Sequence, residues 1–289
     1  MADRADSSRC RVWMLIGVAI FAHLCVASAA KDRNADRIQP YGKNPRYWQY
    51  KGEPVMLLGG SNTDHIFLLD ELEAHLDEMR QVGANYVRCT MSQREQKELK
   101  PHLLLPSGKF DLDQWNPEYW RRFENMLNWT AQREIFVQIE VWDRFDYSDH
   151  SGNWKRWQTS PWNPGNNVNY TYEQTGFASE YPHHPSRDRQ PFFHTIPGMP
   201  QYNAKLDLVR RYQEAFVARM LSCSLPYGHV LYCMNNETST PAAWGRYWID
   251  FIKSKAAQSG VVEQWAPGYV PPDPFRAVRA IIAEVAAAL

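Results

Sequence analysis

One short apolar segment of the chain ends in polar residues of a kind that can do chemistry. The run 229–234 is followed by Asn235, Asn236, Glu237 and Thr238. A carboxyl group can protonate a leaving oxygen, and an amide beside it can hold a substrate hydroxyl. The same residues could instead form a polar turn in which Glu237 stabilises the N-terminus of the next helix. Their position alone leaves both interpretations open.

Polar side chains also lie at the ends of three other apolar runs. These side chains are Asp64 and His65 after the run 55–60, Arg88 in the run 84–90, and Glu140 and Asp143 at the end of the run 135–141. If the runs are parallel strands, their carboxyl ends meet at one edge and these groups could bind sugar hydroxyls. Alternatively, the carboxylates pair with a basic neighbour such as Arg144, and Asp64 with His65 forms a capped turn.

The segment between residues 142 and 202 is long and rich in aromatic rings. It contains Trp142, Phe145, Tyr147, Trp154, Trp157, Trp162, Tyr170, Tyr172, Phe177 and Tyr181, interleaved with Asp, Asn and His. Flat rings suit the C–H face of a pyranose, and polar groups suit its hydroxyl rim. The rings could also pack a core within the loop. We expect both, with two or three rings, Trp142 among them, facing a ligand.

Metal and cofactor chemistry has little support in the sequence. His183 and His184 are adjacent and flanked by prolines, so they cannot readily share one ion, and the cysteines show no zinc spacing. We therefore expect no metal and no cofactor. Cys89, Cys223 and Cys233 lie in or beside apolar segments, which favours buried free thiols.

The apolar runs alternate with helical patterns. Strands are expected at 55–60, 84–90, 135–141 and 229–234, and each is followed by a segment with helical spacing of apolar residues. Asp70 with Glu73 suggests a capping box, and Asn116 with Pro117 suggests a helix start. A hairpin is expected around Lys51 and Gly52. Strand–helix alternation with short returns predicts parallel strands and right-handed crossovers.

The number of these units is too small for a closed barrel. Four βα units are clear and a fifth strand is expected at 261–265, whereas an eightfold barrel needs about 250 residues in eight units. The predicted fold is therefore α/β, a TIM-barrel-like series of (β/α) repeats forming an incomplete barrel of about four to five units. The predicted division is a partial barrel domain at 41–265 and, at 266–289, a Pro-rich segment with an atypical Ala-rich helix.

In this arrangement the chain resembles clan A of the retaining glycoside hydrolases, over roughly Tyr41 to Gly260. That clan consists of eightfold βα barrels with an Asn-Glu pair after the fourth strand, which Asn236 and Glu237 match. The resemblance implies that Glu237 is the general acid/base, that Asn236 contacts a sugar hydroxyl, and that Arg88 supports the catalytic carboxylates. It also implies a second carboxylate after a seventh strand. That strand is not recognisable, and Glu263 falls within a strand rather than at its end.

Two functions follow from this resemblance. One is a glycoside hydrolase acting on an oligo- or polysaccharide, with Glu237 as acid/base. The other is a truncated, inactive or carbohydrate-binding protein that lacks the nucleophile and self-associates through exposed barrel edges.

The N-terminus predicts export. Arg4, Arg9 and Arg11 precede an apolar run at 12–26, and small residues follow, which is the pattern of a signal peptide at 1–30. The alternative is a membrane anchor formed by residues 12–27. We therefore expect a secreted or periplasmic protein. The 32 basic and 32 acidic residues balance, which gives no reason to expect a nucleic acid partner.

Overall fold

The computed structural model describes residues 36–61, 63–91, 99–150, 155–236 and 241–260. The predicted signal peptide, Glu237, Trp154, the fifth strand with Glu263 and the C-terminal Ala-rich helix lie outside the described residues.

Eight strands and six helices are described in those ranges. The strands are β1 Gln39–Tyr41, β2 Asn44–Tyr50, β3 Glu53–Val55, β4 Tyr86–Thr90, β5 His102–Leu104, β6 Phe110–Trp115, β7 Phe136–Asp143 and β8 Val230–Asn236. The helices are α1 Leu72–Gln81, α2 Pro117–Gln132, α3 Arg156–Thr159, α4 Tyr172–Thr175, α5 Leu206–Ser224 and α6 Ala242–Gln258. Four short 3₁₀ turns, Arg144–Tyr147 among them, join these elements.

The centre of the fold is a parallel sheet with strand order β4, β7, β8. Gly59 adds a parallel bridge to Tyr86, so the predicted first strand is present as a single bridge rather than a ladder. A Cβ at Gly59 would lie 2.1 Å from the Tyr86 carbonyl oxygen, so this close approach requires glycine. The α/β fold with an incomplete (β/α) barrel is thereby confirmed: within the described ranges the sheet is open and consecutive strands are joined through helices.

A three-stranded antiparallel sheet of β1, β2 and β3 and an antiparallel hairpin of β5 and β6 accompany this sheet. β2 and β3 pair around Lys51 and Gly52, both with positive φ, as predicted from the turn dipeptide. The pairing of β5 with β6 was not predicted. Its first strand is only three residues long, and its turn contains Gly108, with φ of 79°.

Helix starts agree with the sequence in one case and differ in another. Pro117 begins α2, and the Asn116 side chain accepts a hydrogen bond from the Glu118 amide, as expected. The prediction of a capping box formed by Asp70 and Glu73 is wrong: the N-cap residue of α1 is Glu71, and its side chain makes no capping hydrogen bond. The Asp70 carboxylate instead lies 2.9 Å from Arg122 Nη1 on α2, because an ion pair with a neighbouring helix was open to it.

Asn116→Ala is expected to lower the free energy of unfolding by about 1 kcal/mol, since it removes a helix cap. Asp70→Ala is the matched control and should cost less than about 0.5 kcal/mol, because its exposed ion pair is solvent-screened. Urea unfolding of the three proteins measures both values. Equal losses would mean that Asp70 caps α1 after all.

The long loop after β7 packs its rings inward. Seven of the ten loop rings named from the sequence are buried, namely Trp142, Tyr147, Trp157, Trp162, Tyr170, Phe177 and Tyr181. Polar side chains brace the loop backbone around them: Asp149 accepts hydrogen bonds from the Gln158 and Tyr181 amides. Asn163 donates to the Trp157 and Ser179 carbonyls. The rings therefore mainly build a core within the loop, which was one of the two expected roles.

Two buried histidines make the fold sensitive to acid. Burial lowers the pKa of His102 to about 3 and that of His229 to about 4. Both groups titrate near 6.5 in an unfolded chain. Between these values the unfolded chain binds more protons than the folded one, so stability falls as pH drops from about 6.5 towards 4.

His229→Gln is expected to remove about 2 kcal/mol of this pH dependence between about pH 7 and pH 5. His229 Nε2 lies 3.0 Å from Thr130 Oγ1, and glutamine can keep a polar contact there without titrating. The measurement is the free energy of unfolding of both proteins between about pH 7 and pH 5. Parallel profiles would show that His229 does not carry the effect.

Candidate functional site

The carboxyl ends of the parallel strands bring together the polar residues predicted from the sequence. Thr90 pairs with Glu140 in the β4–β7 ladder, and Asp143 pairs with Asn236 in the β7–β8 ladder. Arg88 lies two residues before the end of β4. Parallel strands in register therefore place one guanidinium, two carboxylates and one amide side by side.

Arg88 is the centre of this cluster. Its Nε lies 2.8 Å from Glu140 Oε1, and its Nη2 lies 3.1 Å from Glu140 Oε2 and 3.0 Å from Asn236 Oδ1. Hydrogen bonding to Glu140 raises the pKa of Arg88 above its usual value. The Glu140 side chain is only 4% exposed, whereas that of Arg88 is 40% exposed. The guanidinium thus compensates a buried carboxylate and also reaches solvent.

Asn236 is fixed at both ends of its amide. Its Oδ1 accepts from Arg88, and its Nδ2 donates to Asp143 Oδ2 at 2.9 Å. The other carboxylate oxygen of Asp143 accepts from the Phe145 amide at 2.9 Å and so caps the turn Arg144–Tyr147. The side chain that precedes Glu237 in the sequence is therefore held in one orientation.

Asp64 and His65 lie beside the same cluster. The Asp64 carboxylate is 3.7 Å from Arg88 Nη2, and the two side chains are exposed to a similar extent. The Asp64 carbonyl accepts hydrogen bonds from the Thr90 backbone amide and from Thr90 Oγ1. His65 forms an isolated antiparallel β-bridge with the backbone of Cys89. These contacts place Asp64 and His65 at the carboxyl end of β4, beside Arg88.

The pairing of Glu140 differs from the one considered from the sequence. Its partner is Arg88, 52 residues away, rather than the neighbouring Arg144. Arg144 is 1% exposed and points to Asp188, which also accepts from His194 at 2.9 Å. The contacts of Asp188 with Arg144 and His194 were missed, because they join the turn Arg144–Tyr147 to a loop residue that no periodic pattern identifies.

The prediction that Trp142 faces a sugar ligand is wrong. Its ring is 1% exposed and packs among Trp248, Trp244 and Phe216, with centroids 5.2, 5.9 and 5.6 Å away. A ring enclosed on all sides cannot stack on a pyranose. Among the loop rings, Tyr172 is exposed, and Phe145 is half-buried against His184.

The cluster at the carboxyl ends of the strands carries more negative than positive side chains. The Arg88 guanidinium contacts the carboxylates of Glu140 and Asp64, and a third carboxylate, that of Asp143, lies on the other side of the Asn236 amide. Such groups can accept hydrogen bonds from hydroxyls, and the Asn236 amide carries a second hydrogen for donation. The arrangement is suited to holding a neutral polyhydroxylated ligand. No group of three or more His, Cys, Asp or Glu side chains with metal-site geometry occurs among the described residues.

The thiols and helices add two facts. Cys89, Cys223 and Cys233 are free; the first two are buried and Cys233 is partly exposed. In the described part of the chain, no helix has the length and apolar character needed to cross a membrane.

Comparison with known proteins gives similar folds rather than close relatives. No protein-family profile matches the chain, and no curated protein matches its sequence. A family 5 glycoside hydrolase, a mannosidase from Rhizomucor miehei, shares 14% identity at a TM-score of 0.49 over 77% of this chain. An endo-1,4-β-mannanase from the same organism shares 12% identity at a TM-score of 0.46 over 75%. Endo-glycoceramidase II from Rhodococcus sp. shares 16% identity at a TM-score of 0.40 over 72%.

The chain spans about half the length of these proteins, namely 54%, 57% and 47% of them. At these identities the likeness concerns the fold.

Proposed function

We propose that this chain is an exported glycoside hydrolase-like protein that binds and acts on an oligo- or polysaccharide, with Glu237 as general acid/base. The observation that carries the proposal is the position of Asn236, at the carboxyl end of β8 and held there by Arg88 and Asp143. An amide oriented in this way supplies a fixed contact for a sugar hydroxyl beside the residue that follows it. Asp64, His65, Glu140 and Asp143 complete the polar rim.

Hydrolysis tests the catalytic part of the proposal. The full chain is incubated with a panel of aryl β-glycosides beside the variants Glu237→Gln and Glu237→Ala. A general acid contributes about 10²–10⁴-fold, so both variants should lose at least about 100-fold in aglycone release. Release that is unchanged in Glu237→Ala would remove Glu237 from the mechanism.

A second function, saccharide binding without hydrolysis, has its own support. Retaining hydrolysis needs a nucleophilic carboxylate about 5–5.5 Å from the acid/base. Glu140 and Asp143 each engage both oxygens with protein donors, which suits an orienting role better than attack. Binding of a β-linked oligosaccharide by a folded protein that releases no product from any substrate would establish this second function.

We also propose that the chain self-associates along the open side of its sheet. Met56 and Leu58, beside the Gly59 bridge, are 65% and 51% exposed. Apolar side chains at a sheet edge favour pairing with a second copy. Sedimentation equilibrium should give a dimer for the native chain and a monomer for Leu58→Lys. A native chain that is monomeric at all concentrations would exclude this association.

A further inference from the structure

Three tripeptides in the chain have the acceptor pattern for N-glycosylation. They begin at Asn128, Asn169 and Asn236, and each has Thr two residues later and no proline between. A glycan is bulky and must project from the surface of the folded protein. The three asparagines differ in whether the fold permits this.

Asn236 cannot carry a glycan in this fold. It is 6% exposed, and its amide nitrogen lies 2.9 Å from Asp143 while its oxygen lies 3.0 Å from Arg88. A sugar on Nδ2 would have to displace the side chains that enclose this buried amide.

Asn169 is also committed to the fold. It is half-buried, and its Nδ2 donates to Asp111 Oδ1 at 3.1 Å and to Asp113 Oδ2 at 2.9 Å. Its Oδ1 accepts from the Leu112 amide at 2.7 Å. Both amide hydrogens are in use, and glycosylation replaces one of them. A modified Asn169 would therefore lose one of its two hydrogen bonds to the carboxylates of β6.

Asn128 has a different environment. It is exposed on α2, on the same helix face as exposed Arg121, Glu124 and Gln132. The opposite face of α2 carries the buried side chains Tyr119, Trp120, Phe123, Met126, Leu127 and Thr130. A glycan on Asn128 would project into solvent and displace no packed group.

We propose that Asn128 is the N-glycosylation site of this protein. The Asn128 amide nitrogen attacks C1 of a lipid-linked oligosaccharide pyrophosphate. The N–C1 bond forms, the C1–O bond to phosphate breaks, the lipid pyrophosphate leaves with the electron pair, and a base takes the amide proton. Thr130 Oγ1 lies 2.7 Å from the Met126 carbonyl oxygen inside the fold, so the transfer precedes the folding of α2.

The glycan would lie away from the candidate saccharide site. Asn128 is in the last third of α2, and β7 begins four residues after that helix, at Phe136. This end of α2 therefore adjoins the N-terminal ends of the strands, whereas Arg88, Asp143 and Asn236 lie towards the opposite ends. The proposal rests on the export part of the proposed function, whereas the proposed hydrolysis and saccharide binding can fail without affecting it.

The test uses the full chain behind a cleavable signal peptide of known function, expressed in mammalian cells, so that entry into the secretory pathway is assured. Lysate and medium are both analysed, with and without an endoglycosidase, and glycopeptides are located by mass spectrometry. Asn128→Gln is an exposed substitution and removes the acceptor. Thr130→Ser is its matched partner, because it retains the hydroxyl and the acceptor pattern.

In the medium, the native chain and Thr130→Ser should show the mobility shift of one glycan, and Asn128→Gln should show none, because a chain modified at Asn169 or Asn236 would not fold and be secreted. In the secreted protein the glycan should be on the peptide containing Asn128. An unshifted native chain, a shift that persists in secreted Asn128→Gln, or a secreted form carrying its glycan on Asn169 or Asn236 would each overturn the proposal.

Discussion

Trp142→Ala is expected to lower the free energy of unfolding by about 3–5 kcal/mol, the range for a large aromatic side chain removed from a core. The indole is 1% exposed and contacts rings from α5, α6 and the long loop. Its removal would leave a cavity at the point where these elements meet β7. Surrounding rings that are themselves fixed cannot close it.

Trp142→Phe and Tyr47→Ala complete this experiment. Trp142→Phe keeps part of the volume and should cost clearly less than Trp142→Ala, whereas Tyr47 is 55% exposed and its truncation should change stability by no more than about 0.5 kcal/mol. Chemical denaturation of the three variants gives the values. A loss below about 1 kcal/mol for Trp142→Ala would be inconsistent with a core position and would return this ring to the list of sugar contacts.

Arg88→Met is expected to lower the free energy of unfolding by about 2–3 kcal/mol. The substitution keeps the aliphatic length and leaves the buried Glu140 carboxylate without its guanidinium partner. Breaking a buried ion pair from one side typically costs about 3–5 kcal/mol, and the partial exposure of Arg88 reduces this value.

The double variant Arg88→Met with Glu140→Gln separates this ion pair from other contacts of Arg88. Glutamine removes the uncompensated charge, so the double variant should be more stable than Arg88→Met alone, with a coupling energy of about 1 kcal/mol or more. Additive losses in the two single variants would show that Arg88 and Glu140 do not form the pair that organises the strand ends.

The sequence predicted those parts of the fold that depend on local pattern. Apolar runs identified β4, β7 and β8, of which β7 is buried on both faces, and Asn116 with Pro117 identified the start of α2. The ordinal position of Asn236 placed it at the carboxyl end of β8. The register of the ladders then explains why Arg88, Glu140, Asp143 and Asn236 meet, although they are spread over 148 residues.

The remaining features depend on contacts between distant segments, which periodicity does not show. Asp70 has the spacing of a helix cap, yet Arg122 on another helix binds it. From the sequence, Trp142 at the end of a strand could face either a ligand or a core. Trp244 and Trp248 of α6 pack against its ring, and this contact places it in the core. The pairing of Glu140 with Arg88 likewise depends on two segments that are distant in the sequence.

Titration of a β-linked oligosaccharide into the Glu237→Gln protein, followed by calorimetry, tests the central claim most directly. If Glu237 is the general acid/base, glutamine at this position slows turnover at least about 100-fold, so that the heat reports mainly binding. The claim that the strand ends form a saccharide site predicts saturable binding that weakens at least about 10-fold, or about 1.4 kcal/mol, when Asn236→Ala is added to a protein shown to remain folded. Absence of binding to β-mannoside and β-glucoside oligomers by the folded protein, or binding that Asn236→Ala leaves unchanged, would contradict it.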